Sequence, residues 1–98
     1  MTSGGWEKRM MPHLEVLAAK LLQLRMFGHL KIVADLMAGL CSDGWSRLSD
    51  EDKRNYLEYL ESDFHVKSFG DSEVGSWPEY HAIVELIGLE MKAVRKRL

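Results

Sequence analysis

Apolar residues recur at spacings of three and four along most of this chain, in runs separated by glycine, proline and small polar residues. That period lets an α-helix lay a stripe of side chains along one face, and an extended strand cannot use it. From Pro12 to Phe27 the stripe is Leu14, Leu17, Leu21 and Leu24, widened by Val16, Ala18, Ala19 and Leu22. A helix apolar over so much of its circumference must be covered on more than one side, by the rest of its domain or by a second copy. Pro12 suits the first turn of such a helix, where its missing N–H would lack a partner in any case.

A second series, Leu30, Val33, Met37 and Leu40, follows Gly28, which either sits inside one bent helix or, as the favoured reading, breaks the two helices by taking the left-handed conformation beyond the end of the first. Cys41-Ser42-Asp43-Gly44 reads as a stop. Ser49 then precedes Asp50, Glu51 and Asp52, a capping residue followed by acidic side chains where the helix dipole favours them. The third helix is expected from Asp50 to near Asp63, with a narrow apolar face of Tyr56, Leu57, Leu60 and Phe64, and Tyr59 at its margin. Residues 64–76 hold Gly70 and Gly75 and read mainly as loop, although the alternation from Phe64 to Phe69 also fits a strand.

Ser76 and Glu79 have the spacing of a capping box, and Pro78 fits the first turn of the helix they would open. Tyr80, Ile83, Val84, Ile87, Met91, Val94 and Leu98 then keep helical register, with Gly88 among them, where either a closely passing helix or a function would explain it. The expected fold is all-α, a small bundle of about four helices completed or stabilised by homodimerisation. Residues 1–11 are expected to be a flexible N-terminal segment and 12–98 a single helical domain. A chain this small buries only about two-thirds of the surface it exposes when unfolded, which makes a second copy a natural supplement.

The formal charge of −2 gives no general attraction to nucleic acid. The basic residues concentrate only in Lys92, Arg95, Lys96 and Arg97, where the C-terminus of a helix favours positive charge. The single cysteine can form no internal disulfide, and no secretory segment or apolar run of about 20 residues is present, so a cytoplasmic protein with no membrane partner is expected.

Catalytic chemistry has little to draw on. No two of His13, His29, His65 and His81 have the spacing of a helical zinc pair, and His81 with Glu85 reads as a surface pair. Cys41 sits on an apolar stripe and is expected to be a buried structural thiol. The carboxylates Asp50, Glu51, Asp52, Glu58, Glu61 and Asp63 fit a solvated helical face, and no glycine leads a phosphate loop. Neither metal, cofactor nor enzymatic activity is expected.

Three tryptophans, three tyrosines, three phenylalanines and six methionines exceed what one small core needs. Trp45, Tyr59, Phe69 and Trp77 fall at turns, helix ends and margins, so they either anchor a partner or close the ends of the bundle. The expected function is a non-enzymatic interaction module, a regulator or inhibitor of the antiactivator or anti-defence type that occludes a larger protein. The alternative is a nucleic-acid accessory protein using Lys92, Arg95, Lys96 and Arg97.

Overall fold

The computed structural model describes residues 5–41, 44–62, 69 and 73–98. Five α-helices, α1 (Gly5–Gln23), α2 (Phe27–Cys41), α3 (Gly44–Arg47), α4 (Asp50–Tyr59) and α5 (Pro78–Arg97), and a 3-10 turn (Glu73–Ser76) make an all-α fold with no strand among the described residues. Helix α1 packs against both α2 and α5, α4 lies on the other flank of α5, and the single turn α3 sits against α2. Lys20 near the end of α1 meets Glu79 at the start of α5, while Trp6 at the start of α1 meets Leu86 further along, so these two helices run antiparallel.

The structure departs from the sequence reading at the N-terminus. Helix α1 starts at Gly5, and Trp6 and Met10 are buried, continuing the Leu14, Leu17, Leu21 stripe back by two turns. The boundary expected at residue 12 therefore falls inside a helix, and the segment 1–11 is not a separate flexible unit over the residues described. Pro12 occupies the exposed side of α1. Proline has no N–H to donate to the Lys8 carbonyl one turn earlier, and both residues are exposed.

The break between α1 and α2 also lies elsewhere. Gly28 is in the first turn of α2, and the reversal is made at residues 24–26 by Arg25, whose φ of 58° is left-handed. The Met26 N–H donates to Leu21 O at 2.9 Å and the Arg25 N–H to Leu22 O at 3.1 Å, the paired bonds of a Schellman motif. Met26 packs on the core beside Leu21, supplying the apolar contact that closes such a turn. The position usually given to glycine is thus held by an arginine, because the apolar clasp and the two hydrogen bonds outweigh the steric cost of a Cβ in that conformation.

Ser49 caps α4 as its position suggests, its Oγ accepting from the Asp52 N–H at 3.1 Å. The capping box at Ser76 and Glu79 does not form. Trp77 is the N-cap of α5 without a side-chain bond, Ser76 donates to Glu73 O within the 3-10 turn, and Glu79 turns to Lys20 instead. Of the stretch 64–76, only Phe69 and 73–76 are described, so the choice between loop and strand lies outside the described residues.

Two backbone predictions follow from these ends. Arg25→Gly should stabilise the fold by about 0.5–1 kcal/mol, relief of a left-handed Cβ less the added chain entropy. Ser49→Ala should cost about 1 kcal/mol. Urea unfolding monitored by circular dichroism measures both. A destabilised Arg25→Gly protein would mean that the turn is not left-handed in solution.

Candidate interaction surface

Two large aromatic side chains close the bundle from opposite ends. At one end the Trp45 ring lies 4.7 Å from the Trp6 ring and 5.9 Å from Tyr56. Its indole donates to Glu90 Oε2 at 3.2 Å, and the Trp6 indole donates to the Leu86 carbonyl at 2.9 Å. The buried stem of Lys53 carries its ammonium over the Trp45 ring, 5.7 Å from the centroid. At the other end Phe69 is wholly buried, with His29 edge-on at 4.8 Å and Tyr80 stacked at 5.9 Å.

Two of the four anchor candidates lie inside the fold. Trp45 and Phe69 are interior residues packed on the chain's own core, and Trp45 reaches the surface only as part of a groove wall. Tyr59 is 49% exposed beside Tyr56. Trp77 is half-buried against the core, with the Lys20 ammonium 5.1 Å above its ring and the Lys20–Glu79 ion pair at 2.7 Å alongside. The four anchor candidates therefore do not assemble into one surface. Cys41, expected to be buried, is exposed at the end of α2.

Among the described residues, exposed apolar side chains gather on the outer side of α1 and α2, with Tyr59, Leu89 and Leu98 exposed elsewhere. Opposite the buried stripe of α1, Pro12, Val16, Ala19 and Leu22 are exposed, with Glu15 the one charge between Pro12 and Leu22 on that side. Leu24 in the turn and Phe27 at the start of α2 continue it, Phe27 being 59% exposed. Along α2 the outward residues Ala34, Ala38 and Gly39 are small, and apart from His29 the helix carries only Lys31 and Asp35, paired with each other at 3.3 Å. The sequence reading assigned Val16, Leu22 and Leu24 to a covered stripe. The clue to their exposure was the breadth of that stripe, wider than the two neighbours of α1 can bury.

A groove of about 180 Å³ opens beside this face, lined by Gly39, Leu40, Trp45, Leu48 and Tyr56. A second, of about 240 Å³, lies between Glu61 and the Val84, Ile87 and Gly88 side of α5. Gly88 has nothing within 4 Å of where a Cβ would stand, so no helix presses on it among the described residues. Burial raises the Tyr56 hydroxyl above its ordinary pKa, with Tyr59 and Asp35 adding to the effect, and burial alone raises Tyr80. Such shifts make both phenols weaker acids and keep them neutral near pH 7.

Among the described residues no group of three or more His, Cys, Asp or Glu is placed to hold a metal ion, and no helix is long and apolar enough to cross a membrane. Lys92, Arg95, Lys96 and Arg97 are exposed at the end of α5, but Arg97 is engaged by Asp50 at 2.9 Å, which ties α5 to the start of α4. Compared with protein-family models, curated proteins and solved structures, the chain matches none.

The structural role of Trp45 and the two phenols can be measured. Trp45→Ala should cost about 3–5 kcal/mol, whereas Tyr59→Ala should stay within about 0.5 kcal/mol of the parent. Because Tyr56 and Tyr80 are raised in the folded state, their contribution is fully present below the unfolded tyrosine pKa of about 10 and is lost as pH climbs through the folded values. Chemical denaturation between neutral and strongly alkaline pH should show that decline, and Tyr56→Phe with Tyr80→Phe should reduce it.

Proposed function

We propose that this protein is a homodimeric, non-enzymatic interaction module, a regulator or inhibitor that works by covering a surface of a larger protein in the cytoplasm. The observation that carries this reading is the exposed apolar face of α1, Pro12, Val16, Ala19 and Leu22, extended by Leu24. A helix face with one charge over three turns loses free energy to water and regains it when laid in an apolar groove, with residues three and four apart as the anchors. Tyr59 and Trp77 lie away from this row and would at most contribute at its rim.

Replacing Val16 and Leu22 together by glutamate tests the assignment. Both side chains are exposed, so each change should alter stability by no more than about 0.5 kcal/mol. Cross-linking in native lysate should then recover a protein with the parent chain, hold it as salt is raised, and lose it with the double variant. An identical set of captured proteins for parent and variant would remove α1 as the docking face. Capture of nucleic acid alone, released by salt and abolished when Lys92, Arg95 and Lys96 are neutralised, would favour the basic end of α5 instead.

A further inference from the structure

Four residues of α2, Phe27, Lys31, Asp35 and Gly39, follow one another at intervals of four. Residues so spaced form a continuous ridge on a helix, the feature by which helices most often interlock. All four are exposed. The ridge begins with an uncovered phenylalanine, passes through a cation and an anion, and ends at a glycine that borders the groove over Leu40, Trp45, Leu48 and Tyr56. Nothing stands within 4 Å of a Cβ built on Gly39.

The ridge is complementary to itself when reversed. Laid antiparallel on its own copy with a two-fold axis beside position 33, Lys31 of each chain faces Asp35 of the other. The same register sets Phe27 opposite Gly39, each six residues from the axis, or about 9 Å along the helix. One register therefore satisfies two unrelated features at once, the order of the charges and the distance from the phenyl ring to the groove. The groove volume of about 180 Å³ also suits the ring, since a cavity of about 150 Å³ holds benzene. Gly39 lines the groove and stands one turn beyond Asp35 on the same ridge, so the Asp35 edge of α2 lies on the side where the groove opens.

We propose that two copies of this chain pair antiparallel through the α2 ridge, with Phe27 of each protomer seated in the Gly39 groove of its partner. The pairing rests on the homodimeric part of the proposed function and leaves the α1 face free for a different protein. It removes from water the most exposed large apolar side chain among the described residues and turns two solvated ion pairs into an alternating set of four charges. It also explains the composition of α2, whose other outward residues, Gly28, Ala34, Ala38 and Cys41, are small enough for a second helix to approach.

Sedimentation equilibrium tests it on the intact chain. The parent should self-associate, and Phe27→Ala should weaken that association by about tenfold or more while leaving the circular dichroism spectrum unchanged. Lys31→Asp and Asp35→Lys should each weaken self-association, because like charges then meet across the axis. An equimolar mixture of these two variants should associate better than either alone. Pairing within one chain cannot produce that recovery, since each variant carries two like charges on its own helix. A parent that stays monomeric up to millimolar concentration overturns the proposal, as does a dimer indifferent to Phe27→Ala or a mixture that does not recover. Because Val16 and Leu22 take no part, the fate of the α1 face is decided separately.

Discussion

Trp6 and Trp45 join the start of α1, the single turn α3 and the later half of α5, because a buried indole must find an acceptor for its N–H. Trp6 takes a main-chain carbonyl of α5, and Trp45 takes the carboxylate of Glu90, itself nearly buried. The two rings then lie against each other, and Tyr56 from α4 also packs against Trp45. Elements distant in sequence are thereby held by contacts whose directions are fixed, which apolar packing alone would not supply. Removing one partner would leave a buried polar group unsatisfied, the costliest kind of defect in an interior this small. At the opposite end Phe69 performs the apolar half of the same task between α2 and α5.

This division explains which parts of the fold were legible in the sequence. Periodicity located α2, α4 and α5 because each has a stripe bounded by a clear signal: Gly44 after α2, Ser49 before α4, Pro78 at the start of α5. It placed the start of α1 too late, since Pro12 resembles a first-turn proline and Trp6 and Met10 extend the stripe beyond it. The turn at Arg25 was hidden because arginine gives no sign of a left-handed φ, and the glycine three residues on offered a plausible substitute. At Glu79 a capping spacing was present, but a lysine from another helix competed for the carboxylate, and sequence does not show that neighbour.

The candidate site was less legible for a related reason. Aromatic residues at turns and helix ends are equally suited to a partner's surface and to the ends of the chain's own bundle. Trp45 and Phe69 are inside, packed on Trp6 and Tyr56 and on His29 and Tyr80. What remains outside is less conspicuous in sequence: valine and leucine on the back of α1, and the Phe27 to Gly39 ridge of α2 with its single pair of charges. These residues follow helical spacing as faithfully as the core does. Only the count of neighbouring helices shows that one side of each stripe is left over.

Tryptophans turned inward hold the bundle, and the proposed contact with a second copy lies on an uncovered α2 ridge turned outward. A dilution series of amide nitrogen–proton correlation spectra, combined with hydrogen exchange of the indole N–H groups, reads both at once. The account predicts slow exchange for the Trp6 and Trp45 indoles, and concentration-dependent shifts gathered around Phe27, Lys31, Asp35, Gly39 and the groove beside them. Freely exchanging indoles, or shifts that map to the basic end of α5 or appear nowhere, would contradict it.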